Sequence, residues 1–217
     1  MYVPAPFAEP DRAVLHEFIR THPLGALVTG SPSAGLYATH LPLLLDPHRG
    51  EHGILHGHIA RANPHHERAG DGAEGLVIFT GPEAYVTPSW YASKARHGRV
   101  VPTWNYVAVH VVGRVRFIED RAVLMSHLEK LTDTHEADRA HPWSMSDAPS
   151  TFVEQLVRAI VGVEIEIVSL EGKWKLSQNR PDDDVDGVIN GLRLSTDASA
   201  HAVGEQVAAR REKRNSH

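Results

Sequence analysis

Thr103 to Ile118 alternates along its length, with Val115 and Phe117 falling on one side and Arg114 and Arg116 on the other. This is the period-two signature of a β-strand. Within it, Asn105–Val112 is apolar on both faces: Tyr106, Ala108 and His110 point one way, Val107, Val109 and Val111 the other. A strand of that kind needs cover on both sides, more than a one-sided core supplies, so a second copy of the chain is expected against one face. Gly113 is expected to mark a bend or bulge, as a strand closing a barrel requires.

The elements around it follow the same logic. Leu24–Thr29, Gly35–Leu45 and Gly53–Ile59 read as strands separated by Gly, Pro and Asp turns. Leu76–Phe79 and Ala84–Thr87 read as two strands broken at Gly81-Pro82, and Val163–Leu170 and Lys173–Gln178 as a hairpin turning at Glu171-Gly172. Helix spacing covers Asp11–Arg20, Asp120–Glu136, Thr151–Ile160 and Asp182–Leu192, with a short helix from Pro64 to about Ala69. Strands dominate the first half, and helices are inserted between later strands. That order opposes a doubly wound parallel sheet. It favours a mainly β fold with peripheral helices, of the α+β class, built as an antiparallel barrel. Residues 1–192 read as one domain, and 193–217 as a C-terminal helical or flexible tail.

Composition narrows the function. The 217 residues carry 41% hydrophobic side chains, as in an ordinary globular protein. No apolar run is long enough to span a bilayer, and no basic-then-apolar leader opens the chain. With no cysteine, disulfides, thiolate metal sites and cysteine nucleophiles are excluded, and a cytoplasmic location is expected. The net charge of −5 lacks the basic surplus usual in a DNA-binding domain, although Arg210-Arg211-Glu212-Lys213-Arg214 is a local basic run. No catalytic triad, carboxylate pair or zinc spacing stands out.

The chemistry-bearing segments are short. Gly57-His58-Ile59-Ala60-Arg61-Ala62-Asn63-Pro64 runs from a strand end into a helix start, with Asn63 at the N-cap and Pro64 at the first helical position. A helix start attracts anions, and Arg61 adds a planar cation, so the pattern reads as a phosphate cradle. The alternative is a strand–helix junction whose Arg is merely solvated. Three of the four Trp lie in segments that also hold Pro, Ser, Asn and Lys: Gly81–Tyr91, Val101–Tyr106 and Glu171–Arg180. Such aromatics suit the wall of a site for a flat ring with a charged tail. Ser89 and Trp90 follow the Pro88 break, and Lys94 offers a second cation. Gln178 and Asn179, with Asn105, offer polar ends to a heterocycle's edges, the alternative for the first two being a turn cap. His56 and His58 share one strand face, suited to a metal or a haem or simply lining the barrel. Gly70-Asp71-Gly72-Ala73-Glu74-Gly75 matches a dinucleotide fingerprint by letter, but it follows a helix and precedes a strand, so it reads as a loop.

The segments HGHIARANP, GPEAYVTPSWY, VPTWNYVAVH and EGKWKLSQNR, with the opening MYVPAPF, resemble the PaiB-type negative transcriptional regulators, which are grouped with FMN-binding split-barrel proteins. The resemblance runs from Met1 to about Leu192. It implies an FMN-binding split β-barrel, a homodimer, and a flavin-type site at the dimer interface. It also places His40, in Thr39-His40-Leu41-Pro42, under the flavin ring. The site expected on this basis comprises His40, Arg61, Asn63, Ser89, Trp90, Lys94, Trp104, Asn105, Gln178 and Asn179. The cofactor is FMN, with haem as the alternative. The function implied is a ligand- or redox-responsive negative regulator, DNA being a partner by resemblance only and not by charge. A flavin-dependent oxidoreductase and a haem-binding or haem-degrading protein stand as alternatives, because a fold does not choose among them. Catalysis stays open, since a flavin itself carries redox chemistry.

Overall fold

The computed structural model describes residues 1–31, 35–70 and 72–215. In chain order these form β1 (Ala8–Glu9), α1 (Arg12–Thr21), β2 (Leu24–Ser31), β3 (Gly35–Pro42), β4 (Leu44–Asp46), β5 (Ile54–Ala60), α2 (His65–Ala69) and β6 (Glu74–Val86). There follow α3 (Ala92–His97), β7 (Thr103–Ile118), α4 (Arg121–Glu136), α5 (Ser150–Arg158), β8 (Ile160–Lys175), α6 (Asp182–Arg193) and α7 (Ala198–Asn215). The eight strands form one sheet in the order β3-β2-β6-β7-β8-β5-β4, with β1 pairing β8. The β1–β8, β2–β3, β2–β6, β4–β5 and β5–β8 ladders are antiparallel. Among the described residues no helix is long and apolar enough to cross a membrane.

The chain groups into two compact units. One comprises residues 16–79 and 110–170, the other 1–15, 80–109 and 171–217. The first, the β2–β5 unit, buries Leu27, Leu41, Leu55, Val77, Phe79 and Ile165. Its ladders are tight: a Cβ on Gly57 would lie 2.9 Å from side-chain carbons of both Leu41 and Leu43. Helices α4 and α5 add Leu124, Val153 and Val157 as a satellite cluster. The second, the α6–α7 unit, buries Val86, Val107, Trp174, Leu176, Val188 and Leu192. The C-terminal segment, expected as helical or flexible, is helix α7, and its Val203 and Val207 are buried.

Three local expectations are corrected. β6 runs unbroken through Gly81-Pro82; Gly81 keeps an ordinary negative φ, and proline is tolerated in a strand where its missing N–H is not needed. β8 likewise continues through Glu171-Gly172 instead of turning. Gly172 sits opposite Glu9 of β1, where a Cβ would strike the Leu15 and Trp174 side chains, so this glycine permits close approach and makes no turn. The expected strand Gly35–Leu45 divides at Leu43, whose N–H donates to the Pro23 carbonyl at 2.8 Å. Gly113 also proves to be a close-approach glycine, its would-be Cβ 2.5 Å from the Glu166 carbonyl oxygen. Asp71 of the Gly70–Gly75 segment lies outside the described residues; the segment opens no helix, since Gly70 follows α2 and Glu74 and Gly75 already belong to β6.

Candidate functional site

In the β2–β5 unit the chain leaves β5 at Ala60 and turns into α2. The Asn63 side chain organises that turn. Its Oδ1 accepts from the His65 N–H at 3.0 Å and its Nδ2 donates to Thr39 Oγ1 at 3.1 Å. His65 is fully buried, with one ring nitrogen 2.8 Å from Thr39 Oγ1 and the other 2.9 Å from Thr29 Oγ1. Burial, with the neighbouring His66, holds its pKa below the usual histidine value. The Asx-capped start is present, one residue out of phase: the helix begins at His65 and Pro64 precedes it.

Arg61 lies at this turn, and its guanidinium has partners. Nε donates to the Arg158 carbonyl at 3.0 Å, Nη2 to the Ile160 carbonyl at 3.2 Å, and Nη1 faces Glu119 at 3.3 Å. The side chain remains 42% exposed. His40 stands on the opposite face of β3 from Thr39, because successive strand side chains alternate. It is exposed, as is Leu36 on the same face. β3 pairs on one side with β2 and is an edge of the sheet.

The α6–α7 unit gathers the aromatic candidates. Trp104 is half exposed and meets Tyr85 edge to face, ring centroids 6.0 Å apart. Trp90 lies against α6 at Gly187 and Gly191; a Cβ on the first would strike the Trp90 carbonyl, and one on the second its indole ring. Tyr85, Trp90 and Trp104 line a cavity of about 480 Å³, completed by Gly191, Leu194 and Asp197. Lys94 Nζ donates to Ser89 Oγ at 3.0 Å, so these two candidates also meet.

The remaining candidates are occupied or separate. Asn105 is buried, its Nδ2 donating to Ser177 Oγ at 3.0 Å while Ser177 Oγ donates back to Oδ1 at 3.3 Å. Ser177 has φ 64°, a left-handed backbone that serine seldom adopts. Asn105 thus clamps a strained turn. Gln178 folds back on the same turn, its Oε1 accepting from the Leu176 N–H at 2.7 Å and its Nε2 donating to the Trp174 carbonyl. Asn179 is exposed. Lys175 Nζ donates to Thr103 Oγ1 and to the Trp104 carbonyl, both at 2.6 Å, and burial, then Lys173 and Arg180, lower its pKa. Replacing Asn105 with alanine is expected to destabilise the protein by about 1–3 kcal/mol, the cost of a buried hydroxyl left without its partner. Urea midpoints measure this; an unchanged midpoint would remove the clamp.

Two further groupings matter. His58 Nδ1 and His127 Nε2 are 3.1 Å apart, joining β5 to α4. Among the described residues no group of three or more His, Asp or Glu could hold a metal ion. The basic run of α7 is ion-paired within its own unit: Arg210 with Glu9, Arg211 with Asp182 and Asp186, and Arg214 with Asp182. Sequence reasoning named Tyr85 only within the Gly81–Tyr91 segment and missed His127 and the glycine pair; of these last, Gly187-x-x-x-Gly191, a four-residue spacing on one helix face, was legible as a signal.

Comparison with known proteins agrees with the fold. Residues 1–169 match the model of a family described as "Putative FMN-binding domain". The chain is 31% identical to the protease synthase and sporulation protein PAI 2 of Bacillus subtilis, over 94% of this chain and 95% of that one. It is 37% identical to an uncharacterized protein of Emericella nidulans, over 91% and 93%. Among solved structures, the FAD and heme binding protein of Mycobacterium smegmatis superposes with a TM-score of 0.55 at 15% identity, covering 82% of this chain and 78% of that one.

Proposed function

Because the chain belongs to the FMN-binding domain family, we propose that it binds FMN and acts as a ligand- or redox-responsive negative regulator. The observation that carries the reading is the cavity walled by Tyr85, Trp90 and Trp104. Its volume lies in the range of small-molecule pockets, and three large aromatics suit a flat, polar-edged ring; Ser89, next to Trp90 in the chain, accepts from Lys94. Within the β2–β5 unit taken by itself, Arg61 with the Asn63 turn is the proposed anion-reading element. His40 and Asn179 remain proposed contacts to the ring. Asn105 and Gln178 would contribute through the turn they hold, since their polar atoms already have partners. When bound, the flavin supplies reversible electron transfer; the chain's own groups bind and orient it.

A homodimer is part of the proposal. The exposed face of β3, with His40 and Leu36, and the free edge of that strand suit a second copy. Sedimentation at micromolar concentration should give twice the 23.9 kDa chain mass. A monomer would count against it. Regulation is proposed as indirect, because the α7 guanidinium groups are already paired with carboxylates and contact few phosphates in that state.

The test of the cofactor is a titration of FMN against riboflavin. Arg61→Ala should weaken FMN by about 1–3 kcal/mol, the scale of lost charge-assisted hydrogen bonds, and leave riboflavin unchanged. Equal binding of the two flavins by the unaltered protein would overturn the phosphate assignment. Haem is the second reading, favoured by His56 and His58 on one face of β5; a Soret band with no flavin uptake would select it. Turnover of NAD(P)H in the presence of FMN would establish an oxidoreductase instead.

A further inference from the structure

A cavity in the β2–β5 unit shares no lining residue with the Arg61 turn. Its volume is about 810 Å³, and it opens between β4, β5 and α4. Pro23, Leu44, Leu45, Pro47, Ala122 and Val123 make its walls mostly apolar. Val123 is 50% exposed, an aliphatic side chain on a helix face without cover.

The polar groups of the cavity are unequal in sign. Arg20, Arg49 and Lys130 face Asp46 and Glu164. Glu164 is a buried carboxylate already saturated: Arg116 bonds one oxygen, Arg49 approaches the other at 3.4 Å, and His56 stands 3.7 Å away. Burial raises the Glu164 pKa, but Arg116 outweighs that and holds it below the usual value, so it stays ionised. Asp46 caps the following turn by accepting from the His48 N–H at 3.0 Å. Lys130 therefore looks into an apolar space whose carboxylates are committed elsewhere, while Arg20 is paired with Glu17 at 3.1 Å. His56 and His127 at the floor add imidazole edges that can donate to an oxygen.

We propose that this cavity binds a small organic monoanion with an apolar body, its carboxylate or sulfonate facing Lys130 and the imidazole of His127. An apolar wall rewards a hydrocarbon or aromatic body, and a cation excess in a half-buried site selects against neutral and cationic homologues. The site is independent of the flavin reading, because no residue of that reading lines it.

The probe is the fluorescent sulfonate ANS, compared with its neutral relative N-phenylnaphthylamine. The whole protein should take up ANS at one site, with enhanced, blue-shifted emission. Lys130→Glu, an exposed change that leaves the fold intact, should weaken ANS by about tenfold or more and alter the neutral probe little. Val123→Trp, filling the cavity, should abolish both signals while FMN binding persists. Leu44→Trp fills it from the opposite wall if the first variant proves unstable in a thermal melt. Three results would overturn the proposal: ANS affinity unchanged in Lys130→Glu, ANS retained by a folded tryptophan variant, or stoichiometric displacement of ANS by FMN.

Discussion

Replacing Gly187 with alanine is expected to lower stability by at least about 3 kcal/mol, the upper part of the overpacking range. An ordinary helix-interior glycine behaves in the opposite way. Alanine there favours the helix by about 1 kcal/mol. At Gly187 the added methyl would strike the backbone carbonyl of Trp90, which cannot swing aside as a side chain can. Gly191, one turn on, faces the Trp90 ring instead. Alanine at Gly191 should therefore cost less stability but push the indole into the cavity and weaken a ring-shaped ligand. Thermal melts and flavin titrations of the two variants, side by side, separate the effects. A stabilised Gly187→Ala would show that α6 and Trp90 are farther apart than described.

Acid is expected to weaken the fold from pH 6.5 downward, through its buried histidines. His127 packs against β5, with His58 and His56 from that strand, Glu164 from β8 and Lys130 from its own helix nearby. Burial, then the charges of His58, His56 and Lys130, lowers its pKa from 6.5 to about 4. Above pH 6.5 the folded and unfolded forms are both neutral there, and the stability is complete. As pH falls below 6.5 the unfolded chain takes up a proton that the native state refuses, so stability declines at up to about 1.4 kcal/mol per pH unit. The loss levels off near pH 4, where the native state also binds the proton, after about 3 kcal/mol. His56, His58 and His65 are shifted in the same direction by burial and deepen the decline. Urea midpoints at intervals from pH 7.5 to 4.5 measure the slope. His127→Gln should flatten it. Equal slopes in the two proteins would place the proton uptake elsewhere.

The regular elements were legible because they follow from local patterns. β7 follows from the alternation of its C-terminal half and its run of β-branched residues, and Asp120 caps α4 by accepting from the Val123 N–H at 3.0 Å, a local device. Glycines misled wherever their reason was remote. Gly172 and the Gly81-Pro82 pair resemble turn signals in one dimension, yet Gly172 exists to let β1 and α1 approach β8. The opening motifs identified the family, and the aromatic segments pointed to Trp90 and Trp104. They could not reveal that Tyr85 meets Trp104, nor the α6 glycines behind Trp90, because those contacts join residues distant in the chain.

What the sequence determined by itself was the element order, the family and the residue types able to hold a flat anion, because periodicity, caps and motif spacing are properties of neighbours along the chain. Tertiary structure alone decided which polar groups were free. Arg61, Asn105 and Gln178 carry the right chemistry for a cofactor. Their acceptors and donors, the Arg158 and Ile160 carbonyls, Ser177 and the Trp174 carbonyl, are brought to them by folding. A buried polar group must find a partner, and which partner it finds depends on contacts that no local pattern encodes.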